Sequence, residues 1–438
     1  MREYSAAGAR VDGGDARVVA FINKRSGGQR GEAAHAALVE AIGADNVFTL
    51  VPKEGGPRPG LEELARAHYD NKGAGDGVVV LCCGGDGTFN WISTVLLDLE
   101  AIKPAGAPSF RPELVTVPLG TGNDLSRALG WGKGYPGDAG LKKFCADARA
   151  ATRGPSIDLW TVRFAAGDAK YPQMENYCSV GVDAEAARRF AEAREANPEA
   201  FSSQWKNKSV YAQTGAKLAV TGAATLNYKV KALQIAGEDV PLPHGCKSIV
   251  VLNIASFGAG TDPWGKKGVI PHKKKLESPA INDGLLEVVA LGSIADVPKS
   301  MLTSKIFGYG VQRVGQGDSV RIEFKSAAAA AESHSSCCGL MTKKSTRKEL
   351  AVQVDGEAWA FPSADEVLEI SLKGRVGVRF GPSHAPGKGI SAGQAKAAPE
   401  LGWDPAALEK KRASDADKAA QPLEGDAEGD EDATTKKK

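Results

Sequence analysis

No stretch of eighteen or more apolar residues occurs in this 438-residue chain, so no segment is predicted to cross a membrane as a helix. The first ten residues, MREYSAAGAR, lack the apolar core of a secretory leader. Arg2 stands where N-myristoylation requires glycine, and the C-terminus carries no prenylation box. No CxxC or Cys/His spacing points to zinc. The seven cysteines, an odd number, read as free thiols in a reducing, cytoplasmic compartment, with Cys82 and Cys83 packed as small hydrophobes. Net charge is only +2, which gives no argument for a nucleic-acid partner. The basic residues are nevertheless uneven. Lys266, Lys267, Lys273, Lys274 and Lys275 form one group; Lys343, Lys344, Arg347 and Lys348 form another. Each group is either a solvated face or an attraction to anionic lipid headgroups.

What is present is ordinary in bulk, with 42% apolar and 25% charged residues, and rich in glycine, with 52. The length suggests two to three units. Residues 1–16 read as a loose leader. Continuous apolar runs at 17–22, 47–51, 77–83 and 114–117 predict strands buried on both faces, and 32–42, 61–69, 89–99 and 125–129 carry helical periodicity. This alternation predicts an α/β domain with a Rossmann-like parallel sheet over 17–155. From 156 to 381 short β-rich pieces separated by turns predict a mostly β second domain. Within it, 190–218 reads as a polar, partly helical insertion and 326–346 as a mobile loop. Residues 382–438 hold few large apolar groups and read as a disordered tail. The residues carry no signal of oligomeric state.

Chemistry concentrates in glycine-rich loops that follow predicted strands. Gly84-Gly85-Asp86-Gly87-Thr88 lies between a strand and a helix, where glycine lets backbone amides approach a phosphate at a helix N-terminus. Asp86 there can hold Mg²⁺, accept a proton from an attacking hydroxyl, or serve only as a helix cap. Gly120-Thr121-Gly122-Asn123-Asp124 repeats the arrangement one βα unit later, and Asn23, Ser26 and Gly27 follow the first strand. In a parallel sheet the carboxyl ends of the strands share one edge, so three such loops can meet at one nucleotide. No GxxxxGK[ST] surrounds them, and no GxGxxG with a downstream acidic residue marks a dinucleotide site. Asp124 reads equally as a helix cap or a ligand contact. Among the tryptophans, packing is the first reading. Trp264, beside Lys266 and Lys267, is the candidate for an interfacial lipid contact.

CGGDGTFNW at 83–91 and PLGTGNDLSRALGWGKGY at 118–135 resemble the nucleotide-binding signatures of diacylglycerol kinases. ENYCSVGVDAEAA at 175–187, LNIASFGAGTDPWG at 252–265, NDGLLEVVAL at 282–291 and QVDGEAW at 353–359 resemble that family's accessory domain. The likeness spans roughly 17–380, without C1 or EF-hand modules, and Lys24 replaces a proline common in the first loop. The resemblance implies a catalytic domain related to NAD kinases, a sandwich-like accessory domain whose C-terminal segment packs back on the first, and ATP and Mg²⁺ as reactants. It implies a peripheral enzyme that meets diacylglycerol at the membrane surface, transiently, and makes phosphatidic acid. Phosphate cradling falls to Gly84, Gly85, Gly87, Thr88, Gly120, Thr121, Gly122, Asn123 and Asp124. Asp86 is the base or metal residue, and Asp283 the alternative base; by itself, Asp283 reads as a turn former. The rival readings are a kinase for sphingosine or ceramide, a NAD or sugar kinase, and an inactive diacylglycerol-binding scaffold.

Overall fold

Four parallel strands carry the first domain: β1 (Arg17–Ile22), β2 (Val47–Thr49), β3 (Val78–Gly84) and β4 (Glu113–Pro118), ordered β2-β1-β3-β4. They were obtained in a computed structural model describing residues 16–24, 26, 30–71, 77–151, 153–196, 225–264, 276–292, 311–326, 329 and 349–383. The leader, the insertion beyond 196, the loop beyond 326 apart from residue 329, and the tail beyond 383 lie outside the described residues. In β1, β3 and β4 nearly every side chain is buried, which is why their sequences run apolar without alternation. The covering helices are α1 (Arg30–Ile42), α2 (Arg58–Asp70), α3 (Asp86–Ala101), α4 (Asp124–Ala128) and α5 (Asp138–Ala150). Helix α5 is absent from the sequence expectation, although Leu141, Phe144, Cys145 and Ala148 fall at helical spacing and are its buried stripe.

The remaining elements are β5 (Arg153–Phe164), β6 (Gly167–Met174), β7 (Tyr177–Gly181), α6 (Val182–Ala196), β8 (Val230–Ile235), β9 (Glu238–Asp239), β10 (Ser248–Leu252), β11 (Leu286–Leu291), β12 (Val311–Gly317), β13 (Ser319–Phe324), β14 (Glu349–Val354), β15 (Glu357–Pro362) and β16 (Val367–Arg379). An antiparallel six-stranded sheet runs β12-β11-β10-β7-β14-β15. It packs on β5, β8, β13 and β16 through a core including Trp160, Leu233, Ile249, Val251, Val288 and Ile370. Burying each such aliphatic side chain contributes about 1.5–3 kcal/mol.

Strand β16 belongs to both domains. It pairs antiparallel with β5 along its length and with β13 over its first part, and its end runs parallel to β4, with Gly377 opposite Glu113 and Val378 opposite Leu114. The first sheet therefore continues as β4-β16-β13-β8-β9. The crossing is fastened by Arg379, which pairs with Glu113 at 2.6 Å and donates to the carbonyls of Ala148 and Arg149 at the end of α5. Trp131 Nε1 donates to the Arg379 carbonyl at 2.7 Å.

Candidate active site

β3 and β4 end side by side, so the two glycine loops meet backbone to backbone. Gly84 O accepts hydrogen bonds from Leu119 N at 2.9 Å and Gly120 N at 3.3 Å. A Cβ on Gly120 would lie 2.6 Å from the Gly85 Cα, and one on Gly84 would collide with the Thr88 side chain. Glycine is therefore required here by close approach. Gly87 has open space around it, and Thr121 is exposed. Thr88 is buried beneath the loop. Asn123, at φ 51°, ties its loop together by donating from Nδ2 to the carbonyls of Gly120 at 2.8 Å and Lys133 at 3.2 Å. Asn23 and Ser26 lie at the end of β1, with Asn23 N donating to Cys83 O at 3.4 Å. Gly27 falls outside the described residues.

Asp86 is the first residue of α3, yet its carboxylate caps the next helix. Its Oδ2 accepts from Asp124 N at 3.1 Å and its Oδ1 from Leu125 N at 3.3 Å. Burial, then the neighbouring Asp124 and Asp355 carboxylates, push its pKa up to about 7. Asp86 thus links the two loops, with its carboxyl held well above the ordinary carboxylate range.

Sequence reasoning missed two acidic residues beside it. Asp355, at φ 51° in the turn between β14 and β15, accepts from the amides of Glu175, Asn176 and Tyr177 at 2.8–3.0 Å and from Asn90 Nδ2 at 3.3 Å. Asn90 lies on α3, so this carboxylate joins the helix carrying Asp86 to the accessory sheet. Glu175 is completely buried, and among the described residues neither carboxyl oxygen has a hydrogen-bond partner. Burial, with the Asp355 and Asp86 carboxylates adding to it, raises its pKa well above the usual carboxyl range. The Asp-Gly pair at 355–356, repeating the dipeptide of 86–87 and 283–284, is the signal that could have pointed to Asp355; a lone glutamate before a strand offered none for Glu175.

Asp283 belongs to a different neighbourhood. Its Oδ1 accepts from Leu285 N at 3.0 Å, and burial, with Asp158 and Glu277 adding to it, raises its pKa to about 6. The following Gly284 N donates to Asp158 Oδ2 at 2.7 Å, and Arg375 pairs with Asp158 at 2.5 Å. The acidic side chains that raise the Asp86 pKa most are Asp124 and Asp355, and those that do so for Asp283 are Asp158 and Glu277.

Trp264 corrects the expectation of a lipid-facing side chain. It is only 3% exposed and packs with Tyr177, Val250, Leu252, Phe257, Val289 and Leu291, with the Arg313 guanidinium 4.8 Å from its ring centre. An indole in that core cannot reach a bilayer; the neighbouring lysines drew attention to a packing residue. Lys266 and Lys267 lie outside the described residues.

Two family models match the chain: the diacylglycerol kinase catalytic domain over residues 17–152 and the diacylglycerol kinase accessory domain over residues 173–358. Diacylglycerol kinase 1 of Oryza sativa subsp. japonica is 30% identical over 418 residues, covering 81% of this chain and 77% of the relative. The eye-specific diacylglycerol kinase of Drosophila melanogaster is 36% identical over 291 residues, covering 63% of this chain and 18% of the relative. Diacylglycerol kinase theta of Mus musculus is 30% identical over 357 residues, covering 78% of this chain and 33% of the relative. The chain belongs to the diacylglycerol kinase family. It spans a third or less of the length of these two animal relatives.

Proposed function

We propose that this protein transfers the γ-phosphoryl group of ATP to 1,2-diacylglycerol, giving phosphatidic acid and ADP. The observation that carries the reading is the meeting of two glycine loops at the carboxyl edge of the sheet, with a carboxylate of pKa about 7 between them. The amides of 84–88 and 120–123 cradle the phosphates. The acceptor hydroxyl attacks the γ-phosphorus in line, its oxygen bonds to phosphorus as the bond to the β-phosphate oxygen breaks, and its proton passes to Asp86. Such a reaction needs positioning and charge neutralisation more than covalent catalysis.

Among the described residues, no three His, Cys, Asp or Glu side chains cluster so as to hold a metal ion unaided. Mg²⁺, which commonly binds through one or two carboxylates with phosphates, would be held here by Asp86 and would offset phosphate charge. Among the described residues no helix is long and apolar enough to cross a membrane. In this reading the protein meets the lipid by transient association with a membrane surface. The five cysteines among the described residues are unpaired, in keeping with a cytoplasmic setting.

Parallel assays on diacylglycerol, sphingosine and ceramide in mixed micelles with ATP and Mg²⁺ test the substrate. Phosphatidic acid as the dominant product supports the reading. Preferred turnover of another lipid alcohol replaces the substrate, and ATP binding without turnover of any of them favours a scaffold.

A further inference from the structure

Asp124 is 1% exposed and its carboxylate is engaged on both oxygens, and among the described residues none of its side-chain partners comes from a nucleotide loop. Its Oδ1 accepts from Ser256 Oγ at 2.6 Å and Gly260 N at 3.0 Å. Its Oδ2 accepts from Ala259 N at 3.0 Å and, at longer range, from the Tyr177 hydroxyl at 3.4 Å. All four donors come from the accessory domain, while the Asp124 amide donates to Asp86. One residue thus joins the loop at 120–124 to the turn at 256–261.

That turn is built around an anion. Gly258, Ala259 and Gly260 have φ of 56°, 71° and 108°, and Phe257 and Thr261 close the turn with reciprocal backbone hydrogen bonds at 2.7 and 2.9 Å. Successive amides in left-handed conformations face inward as an anion-binding nest, and the anion here is the Asp124 carboxylate. Ala259 is held in a conformation costing of order 1–3 kcal/mol for a residue with a Cβ, which persists only when surroundings fix it. Gly258 and Gly260 are exposed, and Gly260 lies against the Arg127 side chain, whose Nε donates to Gly122 O at 2.9 Å. The turn therefore faces the second glycine loop from the accessory side.

In-line transfer places the acceptor opposite the leaving group. With the catalytic domain's loops taken by the nucleotide, the acceptor comes from the accessory side, and the turn at 256–261 is the accessory segment that faces the second glycine loop. We infer that Ser256–Thr261 is the acceptor-side wall of the site, and that Asp124 is a positioning residue that locks this wall to the nucleotide loop rather than a ligand of ATP. The inference rests on the phosphoryl-transfer reading above.

The test uses the full chain with Asp124→Asn, Ser256→Ala and Ala259→Gly. ATP affinity is measured by calorimetry without lipid, amide hydrogen exchange is followed across 257–261, and KM is determined separately for ATP and diacylglycerol. The inference expects Asp124→Asn to raise the KM for diacylglycerol roughly tenfold, while ATP affinity stays within about twofold and the 257–261 amides exchange faster. Ser256→Ala is expected to act in the same direction by about fivefold, the loss of one hydrogen bond of about 1 kcal/mol. Should Asp124→Asn not fold, Ser256→Ala and Ala259→Gly carry the test. A tenfold or greater loss of ATP affinity in Asp124→Asn, or in Ser256→Ala where that variant carries the test, with exchange unchanged, would overturn the inference. Exchange and ATP binding are read without lipid turnover, so an inactive wild type on diacylglycerol refutes the substrate and leaves these two readouts standing.

Discussion

Two Asp-Gly turns, 86–87 and 283–284, look alike in sequence and end up in different electrostatic settings. Asp86 sits where two parallel strands end, and its carboxylate binds the amides of another helix. Asp283 sits at the start of an antiparallel strand in a turn held by the Asp158–Arg375 pair. Both have raised pKa values, about 7 and about 6, with burial as the largest cause. A raised pKa therefore does not choose between them. What separates them is their surroundings: glycine loops at a sheet edge for Asp86, and the Asp158–Arg375 ion pair for Asp283.

The comparison breaks most forcefully at Asp158. Asp158→Ala removes one partner of an ion pair whose carboxylate is wholly buried. The cost is expected at about 3 kcal/mol, the low end for such pairs because Arg375 keeps some exposure. Denaturant unfolding reads it, and nucleotide affinity is expected to change little if the Asp283 turn stands apart from the phosphate site.

The pH dependence sharpens the Asp86 side. A base must be ionised, so kcat/KM is expected to fall roughly tenfold per pH unit below about 7 and level off above it. In Asp86→Asn the residual rate is expected to lose that limb. An acid limb that survives the substitution assigns it to another group.

The smallest effect concerns Glu175. The unfolded chain releases this proton at an ordinary carboxyl pKa, whereas the folded protein keeps it to higher pH. The native state then binds more protons, so Glu175 makes stability fall as pH rises above its unfolded value, with a slope of at most about 1.4 kcal/mol per pH unit. Glu175→Gln is expected to flatten the fall of stability with pH above the ordinary glutamate pKa, as thermal unfolding across that range would show.

What the sequence disclosed follows from the same physics. β1, β3 and β4 were legible because a strand covered on both faces must be continuously apolar, and their loops because glycine is forced by close approach. β6, β12 and β15 were not, since Gly167–Met174, Val311–Gly317 and Glu357–Pro362 mix polar and small residues without a clear period. Asp86 was read as a candidate from its own loop, but its capping of α4 depends on a residue thirty-eight positions away. Glu175 gains meaning only from the fold that buries it, and Trp264 misled because its charged neighbours outweighed its packing.

The most direct test compares wild type, Asp86→Asn and Asp283→Asn for ATP-dependent phosphorylation of diacylglycerol in mixed micelles with Mg²⁺, after ATP binding is confirmed for each. The account predicts a loss of at least roughly a hundredfold in kcat for Asp86→Asn and a clearly smaller one for Asp283→Asn. Equal losses, or the larger loss at Asp283, would contradict it.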